Sequence, residues 1–285
     1  MSKIYDCFNF FNELDVLEIR LNTLYDYVDH FVIVESNVTH SGEKKPYYFN
    51  DNKDRFSKFL DKIIVFKIED NPIDFTNLPH TDDIALNQVY NYIKIQTNRF
   101  NRQTQPDYGR DFFQKESVRR SIVNCSDDDV ILFSDLDEIP NPNILKNIKD
   151  LDLNNNIYSL NQYFYCYFLN VLKQKDWYGT KILKYGTLKN LSLNEVRGDL
   201  SLSIKLDNGG WHFSFMGGKE MVEKKLKSYS ARDMANNKVV SSIESNMGNL
   251  VDPFFRGNLE VVEIDDTYPD YILNNKEKYK HLIKV

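Results

Sequence analysis

The chain has no surplus of positive charge. Thirty-six lysine and arginine residues face 42 aspartate and glutamate residues, a net charge of −6 over 285 residues. Without a broad positive field, non-specific nucleic-acid binding lacks its driving force. An anionic small-molecule substrate would therefore need a local basic pocket. No apolar run reaches about 18 residues, so no membrane-spanning helix is encoded. The N-terminus lacks a charged segment followed by an apolar one and a small-residue cleavage site. The three cysteines, Cys7, Cys125 and Cys166, are too far apart for a zinc or redox spacing. They suit a reducing compartment, and these features together predict a soluble, cytoplasmic protein. No linker rich in proline, glycine or serine is present, and no repeat. Hydrophobic residues at 41% and charged residues at 27% describe a globular chain rather than a disordered one.

What is present reads as alternating strands and helices. Residues 3–10 form a strand. Asn12 is placed to cap a helix running to about Tyr27, with Leu14, Leu17, Leu21, Leu24 and Val28 at helical spacing. Phe31-Val32-Ile33-Val34 and Ile63-Ile64-Val65-Phe66 are continuous apolar runs, as in strands buried on both faces. Two helices are expected over 82–124, broken near Pro106 and Gly109. Another strand covers 129–134, and then Asn141 caps a short helix with Pro142 at its first position. This order predicts parallel strands joined by right-handed crossovers, with ligands outside their carboxyl ends. The second half changes character: an aromatic strand over 157–168, short strands over 181–206 and a helix over 221–236. The expectation is one α/β domain over 1–285, with a Rossmann-like, mostly parallel central sheet flanked by helices and a mixed, aromatic-rich second half. The two halves divide at about residue 140, and the second ends in C-terminal helices.

The sharpest local signal is Ser134-Asp135-Leu136-Asp137-Glu138-Ile139-Pro140. In an extended segment residues two apart share a face, so Asp135 and Asp137 can aim at one point. Two hard oxygen ligands at a strand's carboxyl end suit Mg²⁺ or Mn²⁺, ions that usually also bind substrate phosphates. The plain alternative is a solvated acidic turn. Gly209-Gly210-Trp211-His212-Phe213-Ser214 places a histidine among aromatics, either as a hydrogen-bonded core residue or as a metal ligand. Glu35-Ser36-Asn37, at the end of the second strand, reads as a ligand edge or as turn and capping residues. Glu13 and Arg20 lie on the first helix, whose exposed face would carry charges in any case. In the aromatic zone, alternation puts Tyr163, Tyr165 and Tyr167 on one face and Phe164 and Phe168 on the other. Trp177 and Tyr178 lie further along. Aromatic faces also bind sugar rings, so part of this zone can line an acceptor groove.

Taken together, these segments resemble glycosyltransferase family 17. The likeness runs from Phe11-Asn12-Glu13-Leu14-Asp15 through Val28–Thr39, Asp128–Pro140 and Gly210–Ser214 to Glu220, Lys225, Asp233 and Pro269-Asp270-Tyr271. It implies a GT-A-like fold and an inverting, metal-dependent transferase that uses a nucleotide sugar, with about 1–140 as the nucleotide-sugar-binding half and about 141–285 as the acceptor half. UDP-N-acetylglucosamine is the donor it suggests, with UDP-xylose or UDP-galactose as alternatives, and the acceptor is a glycan hydroxyl. It further implies Asp135, Asp137 and His212 around Mn²⁺ or Mg²⁺. Glu13, Arg20, Glu35, Asn37 and Asp135 would sit at the donor, with Lys115 where relatives tend to carry arginine. Tyr163, Tyr165, Trp177 and Trp211 would face the acceptor. Inversion needs a general base; the candidates are Glu220, Asp233, Glu138 and Asp199, with Glu220 favoured because it follows the glycine-rich turn after His212. Rival classes are a phosphohydrolase with Asp135 as nucleophile, disfavoured by Glu138-Ile139-Pro140, and a non-catalytic carbohydrate-binding protein.

Overall fold

The computed structural model describes residues 2–95 and 100–285. Its strands are β1 (Ile4–Phe10), β2 (His30–Ser36), β3 (Ile63–Ile68), β4 (Val130–Asp135), β5 (Glu138–Pro140), β6 (Tyr158–Cys166), β7 (Val171–Lys184), β8 (Ile204–Ser214) and β9 (Glu260–Val261). Between them come α1 (Leu14–Leu24), α2 (Tyr48–Asp51), α3 (Ile84–Ile95), α4 (Pro106–Glu116), α5 (Val118–Ser121), α6 (Pro142–Lys146), α7 (Tyr185–Leu188), α8 (Leu193–Gly198) and α9 (Gly218–Lys227). The short helices α10 (Asn237–Ser241), α11 (Ile243–Gly248) and α12 (Asp270–Leu273) complete the chain. Of the two helices expected over 82–124, residues 96–99 lie outside the described residues.

The strands join into one sheet in the order β3-β2-β1-β4-β7-β6-β8-β5, with β9 on β7. Period-two alternation sorts the apolar runs into two cores. Phe8, Phe31, Ile33 and Leu132 face α1, where Val16, Leu17, Ile19 and Leu21 meet them. Cys7, Val32, Val34, Ile131 and Phe133 face α3 and α4, against Leu86, Val89, Ile93 and Phe113. A third cluster packs Phe164, Cys166 and Tyr167 on Val222, Leu226 and Ile243.

Three expectations need correction. The sheet is mixed rather than mostly parallel: β3, β2, β1 and β4 are parallel, but β7 runs antiparallel to β4 and to β6. Only residues 167–170 join β6 to β7, too short a link for a parallel crossover. Over 181–206 the chain finishes β7, makes α7 and α8, and only then starts β8. The start of α8 is written in Ser192-Leu193-Asn194-Glu195, where the Ser192 hydroxyl accepts from the Glu195 amide at 3.3 Å. Finally, α1 ends at Leu24 and Asn12 does not cap it; no side-chain cap is made there. Two boundaries also move. The strand over 157–168 stops at Cys166, and Tyr167 at φ +70° leaves the face of Tyr163 and Tyr165 for the third cluster. The helix expected over 221–236 runs instead over Gly218–Lys227.

Candidate functional site

The parallel strands bring Asn9 and Phe10 of β1, Val38 and Thr39 after β2, and Asp135 of β4 to one edge. A cleft of about 440 Å³ opens there, closed on the far side by α4, β8 and α9. Asp135 ends β4 and Asp137 follows in the turn into β5, and both line the cleft. The turn is held from beneath. Arg20 of α1, fully buried, pairs with Asp6 at 2.5 Å and donates to the carbonyls of Asp135, Leu136 and Glu138 at 2.9–3.1 Å. Its other Nη donates to the Ser134 hydroxyl at 2.8 Å.

Each aspartate has its own cation. Asp135 receives Arg197 of α8 at 3.0 Å, and the same guanidinium pairs with Glu138. Asp137 receives Lys225 of α9 at 2.8 Å, and Lys225 also reaches Glu13 at 3.0 Å. Burial pushes the Asp135 carboxyl up, but Arg197 and Lys115 outweigh it and bring it down to about 2. Asp137 is likewise raised by burial and driven well below the ordinary carboxylate range by Lys225 and His212. Both are anions at neutral pH. His212 lies opposite Glu138 in the β5–β8 ladder and forms a three-ring cluster with Phe164 and Trp177, whose centroids are 4.1 and 4.8 Å from its own. Its Nε2 is 3.4 Å from Asp137 Oδ1, and its buried Nδ1 has no hydrogen-bond partner among the described residues. On α4, Lys115 pairs with Asp111 at 2.9 Å, and His40 Nε2 comes within 3.8 Å of the same carboxylate.

The lining carries six lysines and arginines (Lys45, Lys115, Lys173, Arg197, Lys225, Arg256) against four acids (Glu13, Asp111, Asp135, Asp137). Glu35, Asp252 and Glu138 pair with Lys45, Lys173 and Arg197 from just behind the lining, so the cleft is densely charged but close to balance, and an anionic ligand would be gripped by individual cations rather than by a net positive field.

The residues singled out from sequence fall into three groups. Glu13, Lys115, Asp135, Asp137, Trp177 and His212 come together at this cleft. Three others support it without facing it. Arg20 is wholly enclosed and shapes the turn instead of touching a ligand. Glu35 is buried on Lys45 at 2.9 Å and accepts from the Tyr48 and Phe49 amides at the start of α2. Glu138 is enclosed by Arg197 and by the Trp177 indole N–H at 2.7 Å. The rest lie elsewhere. Asn37 bonds through its backbone to Ile68 and Lys45. Glu220 and Asp233 are exposed and outside the lining. Asp199 caps a helical turn at Ser201. Tyr165 packs in the core on Phe213 and Tyr268, and Tyr163 and Trp211 face the other side of the sheet.

Arg197, Asp111 and His40 were not found from sequence as site residues, and Lys225 was noted only within the matched segments. Asp111 and Lys115 stand four apart on one helix face, a readable ion-pair spacing. Nothing near Arg197 in the chain marks it.

Fold and cleft define an α/β protein with an acidic pair and its counter-cations at the carboxyl edge of parallel strands. The sequence matches the model of glycosyltransferase family 17 over residues 1–249, and the chain belongs to that family. It is 27% identical over 140 residues to the β-1,4-mannosyl-glycoprotein 4-β-N-acetylglucosaminyltransferases of Rattus norvegicus and Homo sapiens. That alignment covers 48% of this chain and 22% of each relative's length. A solved structure of 4-diphosphocytidyl-2C-methyl-D-erythritol synthase aligns with a TM-score of 0.37 at 12% identity, over 73% of this chain and 90% of that one. Among the described residues no helix is long and apolar enough to cross a membrane.

Proposed function

We propose that the cleft carries out inverting transfer of a sugar from a UDP-sugar to a glycan hydroxyl, on a GT-A-like scaffold. N-acetylglucosamine is the favoured sugar, by analogy with the names of the relatives, and xylose and galactose are the alternatives. The observation that carries the reading is the cluster of half-buried cations, Lys115, Arg197 and Lys225, fixed around Asp135 and Asp137 at the carboxyl edge of the parallel strands. A nucleotide sugar brings a diphosphate, and Lys115, Arg197 and Lys225 supply fixed counter-charge where the leaving group gains negative charge.

The residues were tested for a divalent cation. Among the described residues no three His, Cys, Asp or Glu side chains converge on one point, so a protein cage is absent. Asp137 Oδ1 and His212 Nε2, 3.4 Å apart, are spaced to share one ion, while Asp135 is turned to Arg197. Asp137 and His212 would therefore hold Mn²⁺ or Mg²⁺, an ion that would need further oxygen ligands from outside the protein. Such an ion supplies further charge neutralisation at the diphosphate. Lys225 holds Asp137 as an anion and Arg197 holds Asp135.

The base must lie within the cleft, which moves the proposal from Glu220, Asp233 and Glu138 to His40. Burial lowers the pKa of His40, against the pull of Asp111, so its imidazole is neutral at pH 7 and free to accept a proton. Asp111 then faces the imidazolium that results. The test is a thermal-shift and turnover panel of UDP-sugars with and without Mn²⁺. Saturation at about 100 times Kd adds about 2.7 kcal/mol to the native state, a shift of several degrees. Asp137→Asn should abolish the Mn²⁺-dependent part, and His40→Gln should keep the shift but lose turnover. No UDP-sugar shift in the parent protein rejects the reading, and normal turnover in His40→Gln rejects the base.

A further inference from the structure

A second cleft, of about 540 Å³, shares no lining residue with the first. Strand alternation separates them. In the β6–β8 ladder Tyr163 lies beside Trp211 and Phe164 beside His212. Phe164 and His212 therefore face the catalytic cleft, while Tyr163 and Trp211 face this one. Trp211 forms the floor, its indole N–H fixed on the Thr267 carbonyl at 3.1 Å. Tyr27, Tyr163 and Tyr271 stand half-buried around it, their rings reaching the lining. The size is that of a small-ligand site, and the lining sets five aromatic side chains among asparagines, threonines, aspartates and one lysine.

The polar part of the lining narrows the ligand. Asp26, Asp266 and Asp270 are exposed at the rim and make no side-chain hydrogen bond or ion pair among the described residues; Lys146 is the cation beside them. Carboxylates accept from hydroxyls and repel anions. Tyrosine rings offer broad apolar faces with little entropy to lose. A polyhydroxylated ligand with apolar ring faces and no negative charge satisfies both. We propose that this cleft is a second saccharide-binding site, distinct from the catalytic one, that takes a neutral oligosaccharide against Tyr27, Tyr163 and Tyr271. It does not depend on the transferase reading, since none of its residues belongs to the first cleft.

The experiment is calorimetric titration of the full chain with lactose, α-mannobiose and N,N′-diacetylchitobiose, with sialyllactose as the anionic control. At least one neutral disaccharide should bind, and Asp266→Ala/Asp270→Ala should weaken it about tenfold by removing charged acceptors. Both positions are exposed, so folding is not at stake, and circular dichroism checks it. Tyr163→Ala should weaken the same probe, while Asp137→Asn should leave it unchanged. The proposal is overturned if no neutral probe binds, or if sialyllactose binds as well as lactose. It is equally overturned if binding survives the double substitution and is lost in Asp137→Asn, which would place the sugar in the catalytic cleft alone.

Discussion

Replacing Arg20 with methionine tests whether the acidic turn is built on a buried guanidinium. Arg20 and Asp6 are both completely enclosed and pair at 2.5 Å, with a second contact from Nε at 2.8 Å. Methionine fills a similar volume but leaves the Asp6 carboxylate buried without its partner. Breaking such a pair from one side costs about 3–5 kcal/mol. The carbonyls of Asp135, Leu136 and Glu138 lose their donor as well, so the upper end of that range is expected. At roughly 2–4 °C per kcal/mol, the midpoint of thermal unfolding should fall by about 6–20 °C. Urea unfolding followed by tryptophan emission measures the same loss at fixed temperature. The control is Asp6→Asn/Arg20→Met, in which no lone charge remains; it should recover at least about 1 kcal/mol over the single variant. Arg20→Lys keeps the charge but not the planar fork that reaches several acceptors at once, so it should fall between parent and Arg20→Met. The reasoning is refuted if Arg20→Met stays within about 0.5 kcal/mol of the parent, the range of an ordinary surface change. A double variant no more stable than the single would also refute it.

Two further outcomes follow from single residues. Lys181 of β7 is fully buried with its ammonium on the Ser159 hydroxyl at 2.5 Å, and burial, helped by Arg197, holds its pKa down to about 8 from 10.5. Protonation is therefore harder in the fold than in the unfolded chain. The penalty is full below pH 8, shrinks between pH 8 and 10.5, and is gone above. Lys181→Met should stabilise the protein by roughly 2 kcal/mol at pH 7, after the loss of the Ser159 contact, and the gain should vanish in urea titrations above that window. Gly210 holds φ at +121°, and a Cβ there would sit 2.1 Å from the Ile139 carbonyl oxygen. Gly210→Ala should therefore cost about 2–4 kcal/mol in the same assay and loosen the β5–β8 pairing that sets Glu138 opposite His212. An alanine variant as stable as the parent would show that this pairing is not so tight.

What could be read from the sequence was what depends on neighbours in the chain. The runs at Phe31–Val34 and Val130–Phe133 announce strands covered on both faces because every residue is apolar, and such a pattern has only one comfortable place in an α/β fold. Asp135 and Asp137 could be set at the ligand edge because alternating strands and helices imply parallel strands, and with them which end of each strand faces a ligand. The same reasoning stopped where a side chain's partner lies far along the chain. Arg197 stands 62 residues from Asp135, and Lys225 stands 88 from Asp137. Nothing local tells a lysine that closes a cleft from one that is solvated. Arg20 shows the opposite error. A charge on an amphipathic helix reads as surface, yet this one is as enclosed as the leucines of α1, because Asp6 on β1 was an unseen partner one layer below. The aromatic zone was split between two clefts for a third reason. Alternation correctly separated Tyr163 from Phe164, but periodicity does not say which face of a sheet looks onto which cleft. That is decided by the antiparallel return of β7 and the parallel placement of β8 beside β6, a choice made by tertiary packing, and it sends Trp211 and His212, adjacent in sequence, to two different clefts.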